Sequence, residues 1–201
     1  MAVPERQDRV NDLLLSLGLP EADIVAWDID HEGHVPTWWR AVKIASSNNT
    51  THALILEDDA EPCHDFLTAA RDIVGRYPDR IISFFATSKT PLPITNSLTL
   101  APHHGFSDVA VVYPTQWLKS LHQDFEISKQ QLANSKWQAG YGADELRMRL
   151  RPQQKTWRTY PSLVQHGCPT SSTLGHKFAY SVARPCLDKN STALALDWSQ
   201  L

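Results

Sequence analysis

The sequence has few cysteines and no long apolar run, and these two absences exclude several classes of protein. The three cysteines, Cys63, Cys168 and Cys186, are odd in number and widely spaced, which fits neither a disulfide framework nor a metal-binding motif. No apolar stretch approaches the length of a membrane span, and the start of the chain does not have the pattern of a signal peptide. We therefore expect a cytoplasmic protein with no membrane span.

Glycine is also missing near the start of the chain, since residues 1–17 contain none. Nucleotidyltransferases usually carry a glycine-rich phosphate loop in this region, so its absence weighs against that class. Internal repeats and low-complexity tracts are absent as well. A chain of 201 residues with these properties fits a single domain, residues 1–201, which is large enough to bury a core.

Charge is distributed unevenly between two parts of the chain. Residues 1–126 contain 9 lysines and arginines against 18 acids, a net charge of −9, whereas residues 127–201 contain 10 against 4, a net charge of +6. Such asymmetry indicates a polyanionic partner for the second part, although a solvated helix face would give the same pattern. The basic cluster within the second part consists of Lys136, Arg147, Arg149, Arg151, Lys155 and Arg158.

Through the first half of the chain, segments in which apolar residues have helical spacing alternate with short apolar segments typical of strands. The expected helices are 5–17, 37–46, 65–76 and 114–122, and the expected strands are 24–28, 53–56, 81–85 and 109–113. Strands that alternate with helices usually lie parallel in one sheet. The pattern therefore predicts an α/β fold, with a mostly parallel central sheet flanked by helices.

One short strand ends in three consecutive acids, Glu57-Asp58-Asp59, which we call the acid triplet. Adjacent carboxylates repel one another and disfavour a strand, so packing alone gives little reason for them. Mg²⁺ and Mn²⁺ prefer oxygen ligands of this kind, and open α/β sheets bind ligands at the carboxyl ends of their strands. The triplet therefore predicts a divalent metal site, with a solvated acidic turn or a helix cap as the alternative.

The order of the polar motifs resembles that of small nucleotide-sugar glycosyltransferases of the GT-A fold, a Rossmann-like architecture. The acid triplet is similar to the EDD variant of the family's DXD metal motif, which is common in small bacterial and phage enzymes. The other motifs, in chain order, are Asp28 at the end of an early strand, Arg40 and Lys43 on the next helix, Asp144-Glu145 at a helix start, and His166 in segment 162–166. The resemblance covers roughly residues 20–175.

The resemblance implies a donor substrate and a metal cofactor. The donor is a nucleotide-diphosphate sugar, and the cofactor is Mn²⁺ or Mg²⁺. The implied metal ligands are Asp59, Glu57 and His166, with a partly buried histidine whose hydrogen bonds are satisfied as the alternative for His166. Because the triplet reads E-D-D rather than D-X-D, either Glu57 or Asp58 could be the member that does not coordinate.

Contacts to the phosphates, ribose or base of the donor are expected from a second group of residues. Arg40 ranks first among the cations because it follows Trp38-Trp39, one of whose indoles could stack on a nucleobase. Core packing is the alternative for the tryptophans, and an exposed surface position is the alternative for each cation. The group consists of Arg6, Asp28, Arg40, Lys43 and Asp58.

The implied reaction is transfer of the sugar to an acceptor hydroxyl. Asp144 is the candidate general base, with Glu145 as a second candidate, although an acid at a helix start is also favoured as a cap. The basic second part favours an anionic acceptor, such as a hydroxymethylated base in phage DNA or a phosphorylated glycan or lipid precursor. The alternatives are a nucleotidyltransferase, a metal-dependent phosphoesterase, and a non-catalytic protein that binds a nucleotide sugar.

Overall fold

The structure of the protein is a computed structural model. It describes residues 2–22, 24–85, 97–100, 108–133, 147, 150–151, 153–167 and 186–198. The α-helices with described bounds are α1 (Gln7–Ser16), α2 (His34–Ser47), α3 (Phe66–Arg76) and α4 (Thr115–Ala133). Short 3₁₀ turns lie at Pro4–Arg6 and Ala193–Ala195. No helix in these ranges is both long enough and apolar enough to cross a membrane.

The described strands form a five-stranded sheet and a two-stranded sheet. Their bounds are β1 (His52–Leu56), β2 (Ala60–Pro62), β3 (Ile81–Ser83), β4 (Ser97–Leu100), β5 (Ala110–Pro114), β6 (Thr156–Tyr160) and β7 (Val164–His166). The larger sheet has the order β1-β5-β3-β6-β4, and β2 pairs with β7 in the smaller one. β1 therefore lies at an edge of the larger sheet.

The larger sheet is mixed, so the described strands do not form the mostly parallel sheet that we predicted. β1 with β5, β3 with β5, and β4 with β6 pair antiparallel, whereas β3 with β6 pairs parallel. The α/β composition itself is confirmed. The strand directions were predicted incorrectly because the apolar run of a buried strand is the same in a parallel and in an antiparallel pair. β5 lies between β1 and β3 and runs antiparallel to both.

Helices cover both faces of the larger sheet. On one face α3 packs Phe66 and Ile73 into a cluster that includes Val112 of β5. On the other face α2 and α4 pack against Val111 and Tyr113 of β5. Because both of its faces are buried, β5 is a continuous apolar run rather than an alternating one.

The amino-terminal segment joins the rest of the molecule through an isolated parallel bridge between Ala2 and Trp27. The Ala2 N–H donates to the Ala26 carbonyl at 3.0 Å, and the Asp28 N–H donates to the Ala2 carbonyl at 2.8 Å. In the described residues the strand expected at 24–28 is therefore reduced to this bridge. The helix expected next to it is confirmed as α1.

Candidate metal centre

The acid triplet occupies a tight turn at the carboxyl end of β1. Glu57 extends the sheet by one residue, because its N–H donates to the Val109 carbonyl at 2.9 Å. The chain then reverses, and the Ala60 N–H donates to the Glu57 carbonyl at 3.2 Å. Asp58 and Asp59 lie within this turn and are each 8% exposed. Three carboxylates are therefore held together at the end of a half-buried edge strand.

His166 reaches the triplet through the small sheet of β2 and β7. In the register of that sheet Ala60 lies opposite His166. The Gly167 N–H donates to the Asp59 carbonyl at 2.8 Å, so the two segments stay hydrogen-bonded beyond the ends of β2 and β7. A β-carbon at Gly167 would overlap only the side chain of Glu61, which is exposed and free to take another rotamer.

Three side chains of the types that bind divalent cations face one another in this turn. Glu57, Asp59 and His166 each offer one ligand atom, and these atoms all lie within 4.8 Å of one another. The His166 Nε2 lies 3.1 Å from Asp59 Oδ2 and 4.0 Å from Glu57 Oε2. Carboxylates suit Mg²⁺ or Mn²⁺, and imidazole is a common metal ligand. The structure thus brings together the three residues that the sequence analysis assigned to the metal.

The triplet also contains buried carboxylate oxygens without a protein partner. Asp58 Oδ2 and Asp59 Oδ1 are buried, and neither has a hydrogen-bond partner among the described residues. Leaving a buried polar atom unsatisfied costs on the order of 1–3 kcal/mol, and more for a charged group. A coordinated cation would offset that cost. The donor set and these oxygens therefore fit a divalent metal ion.

Arg6 is a cation that the fold places against the triplet. Its Nη1 donates to Asp58 Oδ1 at 3.1 Å and lies 3.6 Å from Asp59 Oδ2. Burial raises the pKa of Asp58 above its ordinary value despite the opposing charge of Arg6, and the charge of Asp59 adds to the rise. Burial also acts to raise the pKa of Asp59, but the hydrogen bond from His166 and the charges of His166 and Arg6 outweigh it and lower that pKa. The two neighbouring acids therefore differ in proton affinity.

His34 is a residue of this centre that the sequence analysis missed. It is the first residue of α2, and its Nε2 lies 3.1 Å from Glu57 Oε1. Side chains that contact metal ligands in this way fix the orientation of the ligand. The sequence signal is weak, because His34 falls between the expected strand 24–28 and the expected helix 37–46, and nothing in its spacing links it to Glu57.

Asp28 and Arg40 shape the loop that precedes α2. The two carboxylate oxygens of Asp28 accept hydrogen bonds from the N–H groups of Glu32 at 2.8 Å and Gly33 at 2.9 Å. Arg40 donates to the Trp27 carbonyl and to Glu32 Oε2, the latter at 2.7 Å. Both residues, expected to contact the donor, are therefore engaged in local contacts that position the start of α2.

Other expected donor contacts lie away from the acid triplet. Lys43 is exposed on α2, about 13 Å along the helix axis from His34. Trp38 and Trp39 are buried in the core, where the Trp39 and Phe125 ring centroids are 3.8 Å apart. The expectation that one of these indoles stacks on a nucleobase is wrong, because their large apolar area packs against the sheet instead.

The described members of the basic cluster do not form one exposed surface. Arg147 and Arg158 are 2% and 5% exposed. Arg151 pairs with Asp124 at 2.6 Å, and Lys155 is exposed. These four residues therefore do not form the phosphate-binding surface expected from the cluster, because two of them, Arg147 and Arg158, are buried.

Some of the expected functional residues lie outside the part of the chain that the structure describes. They are the candidate catalytic acids Asp144 and Glu145 and the basic residues Lys136 and Arg149. Their roles stay predictions from the sequence.

Comparison with known proteins adds no family assignment to this geometry. No protein-family model matches the chain, and a search of characterised proteins gives no significant match.

Proposed function

We propose that the protein is a metal-dependent glycosyltransferase that moves a sugar from a nucleotide-diphosphate donor to an acceptor hydroxyl. The observation that carries the proposal is the convergence of Glu57, Asp59 and His166 at the carboxyl end of β1. The buried carboxylate oxygens without protein partners support it, because a divalent cation would satisfy them. A GT-A-like arrangement of the chain and a cytoplasmic location belong to the same proposal.

The chemistry of the donor explains why such residues are needed. Cleavage of the bond between a sugar and a diphosphate leaves negative charge on the departing group, and bound Mn²⁺ or Mg²⁺ stabilises that charge as a Lewis acid. Glu57 and Asp59 would each hold the ion through one carboxylate oxygen, and His166 through an imidazole nitrogen. His34 would orient Glu57 through their contact of 3.1 Å.

Arg6 is proposed to contact the diphosphate of the donor. Its side chain is 21% exposed and lies beside the metal group. Guanidinium groups form strong paired hydrogen bonds with phosphate oxygens. Asp58 would hold Arg6 in position, which gives this acid a role although it is not one of the three grouped ligands.

The acceptor side of the proposal comes from the sequence. Asp144 is proposed as the general base, with Glu145 as the second candidate. An anionic acceptor is proposed from the net charge of +6 on residues 127–201, of whose described cations Arg147 and Arg158 are buried and do not add to an exposed surface. A hydroxymethylated base in DNA is one such acceptor, and binding to it would weaken as the salt concentration rises.

The test is a panel of nucleotide sugars incubated with the protein and Mn²⁺, with the released nucleoside diphosphate as the measured product. We expect one donor to be consumed only when metal is present. Asp59→Asn should lower this rate at least ~100-fold, because the loss of a metal ligand removes several kcal/mol of charge stabilisation. The matched control is Glu61→Gln, which removes an exposed acid two residues away and should leave the rate unchanged.

Three results would overturn the proposal. They are equal turnover by the parent and Asp59→Asn, no metal-dependent turnover with any donor, and release of sugar phosphate instead of nucleoside diphosphate. The last result would indicate attack at phosphorus, as in nucleotidyl transfer or phosphoester hydrolysis. Labelled sugar appearing on a hydroxymethylated duplex but not on an unmodified one would identify DNA as the acceptor.

A further inference from the structure

A cavity of about 760 Å³ is lined by β1 and by segments beyond its outer edge, and Val112 of β5 also lines it. Its charged lining residues are Glu57, Asp58 and Arg71, and most of the other lining residues are apolar. The apolar walls come from α1, the segment before Trp27, β1 and α3, and include Leu14, Leu17, Ile24, Val25, Leu54 and Val74. We call this space the β1 cavity.

The hydrogen-bond pattern of β1 leaves main-chain groups unpaired along this cavity. The Glu57 N–H and the Thr51 carbonyl bond to residues that flank β5, so the odd-numbered residues of β1 direct their main-chain groups toward β5. The N–H and C=O groups of His52 and Leu54 therefore point the other way. They have no main-chain partner in the described part of the chain.

The opposite side of the β1 cavity is bounded by the segment that precedes Trp27. Ala2 is hydrogen-bonded to Ala26 and Asp28 and runs parallel to that segment. An extended peptide aligned with Ala2 and running in the same direction would lie beside Val25 and Ile24, which both line the cavity. The space therefore lies between the outer edge of β1 and the segment that Ala2 bonds to, which is where a further strand of a sheet would fit.

We propose that the β1 cavity binds one extended, mainly apolar peptide strand supplied by a protein partner. The main chain of the peptide pairs with His52 and Leu54, and its side chains fill the apolar space between α1 and α3. The unpaired N–H and C=O groups select a peptide over a lipid chain, because a hydrocarbon cannot form hydrogen bonds with them.

The test uses the full chain and a probe hexapeptide in which valine and threonine alternate. We expect the peptide to raise the Tm by at least ~3 °C, a shift that a few added strand contacts give in a chain of this size. We also expect exchange of the Leu54 amide hydrogen to slow at least ~10-fold. The Ile55 amide is the matched control, since it already bonds toward β5 and should change less.

A second hexapeptide with proline at alternate positions separates strand pairing from simple filling of the cavity. Proline has no N–H, so this peptide cannot complete the main-chain ladder and should change neither the Tm nor the Leu54 exchange. Equal effects of the two peptides would overturn the proposal, as would an equal Tm rise with decanoate.

In a further variant, the valine–threonine hexapeptide is joined to the amino terminus of the protein through a short glycine–serine linker. The linker raises the effective concentration of the peptide at the β1 cavity. No change in Tm or Leu54 exchange with either the added or the joined peptide would likewise overturn the proposal. Neither readout requires a metal or a nucleotide, so the outcome is separate from that of the proposed function.

Discussion

The two surroundings of β1 differ although they lie within a few residues of each other. At the carboxyl end, Arg6, His34 and His166 lie 3.1 to 4.0 Å from carboxylates of the acid triplet. Along the outer edge the same strand borders an apolar cavity of about 760 Å³. One region is built from directional polar contacts, and the other from apolar walls around unpaired main chain.

In both places, polar atoms that have no partner among the described residues indicate the chemistry of what binds. At the carboxyl end these atoms are carboxylate oxygens of Asp58 and Asp59, which an ion would satisfy. At the outer edge they are main-chain groups of His52 and Leu54, which a peptide strand would satisfy. The same reasoning therefore leads to an ion in one place and a strand in the other.

The largest expected effect is a difference in the loss of stability between a variant in the packed core and a variant in the wall of the β1 cavity. Leu118→Ala should destabilise the protein by ~2–5 kcal/mol, because Leu118 of α4 is fully buried. Leu14→Ala should cost only ~1 kcal/mol, because Leu14 of α1 lines the cavity and is already partly exposed. Urea unfolding of the two variants measures the difference, and equal losses would mean that the cavity wall is packed as tightly as the core.

The next effect tests the carboxyl end of β1. His166→Gln should weaken Mn²⁺ binding at least ~100-fold, about 2.7 kcal/mol, because it removes one of three grouped ligands. Isothermal titration calorimetry with Mn²⁺ gives the affinity. His64→Gln is the matched control, since its exposed side chain follows β2 but lies outside the ligand group. The same loss in both variants would rule out a specific ligand role for His166.

A smaller effect is expected at His34, which acts through Glu57. His34→Gln should weaken Mn²⁺ binding ~10-fold, about 1.4 kcal/mol, because Glu57 loses the contact that orients it. A purely structural role would lower the stability to urea and leave the Mn²⁺ affinity of the folded protein unchanged. That outcome would remove His34 from the centre.

The smallest effect is a pH dependence of opposite sign at two neighbouring acids in the metal-free protein. The lowered pKa of Asp59 means that its ionised form stabilises the fold above the ordinary value of 3.8, and this is lost as the pH falls through the lowered pKa. The raised pKa of Asp58 means that its ionised form costs stability at neutral pH, and the cost disappears as the pH falls below the raised pKa.

On acidification the parent should therefore lose stability relative to Asp59→Asn and gain stability relative to Asp58→Asn. Urea unfolding between neutral pH and about pH 3 measures both differences. Differences that change in the same direction would contradict the assigned environments of the two acids.

Much of the local structure could be predicted from the sequence, because apolar spacing reports which face of an element is buried. The helix expected at 65–76 is α3 within one residue at its start, and the strand expected at 53–56 is β1 within one residue. The helix expected at 114–122 continues to Ala133 as α4. The start of this helix could be predicted but its end could not, because no glycine or proline follows His122 closely.

The features that complete the metal centre could not be predicted in the same way. β2 and β7 have three residues each, too few for an apolar period, yet their pairing places His166 beside Asp59. The grouping of His166 with the acids was expected from the resemblance, not from the local pattern. The contact between His34 and Glu57 depends on how α2 packs beside β1, which residue spacing along the chain does not encode.

The most direct test of the metal centre is a crystal structure of the protein soaked with Mn²⁺ and uridine diphosphate. We predict an anomalous-scattering peak within coordination distance of Glu57, Asp59 and His166, with diphosphate oxygens on the same ion. A manganese peak elsewhere, with these three side chains facing solvent and no bound species beside them, would contradict the proposed function.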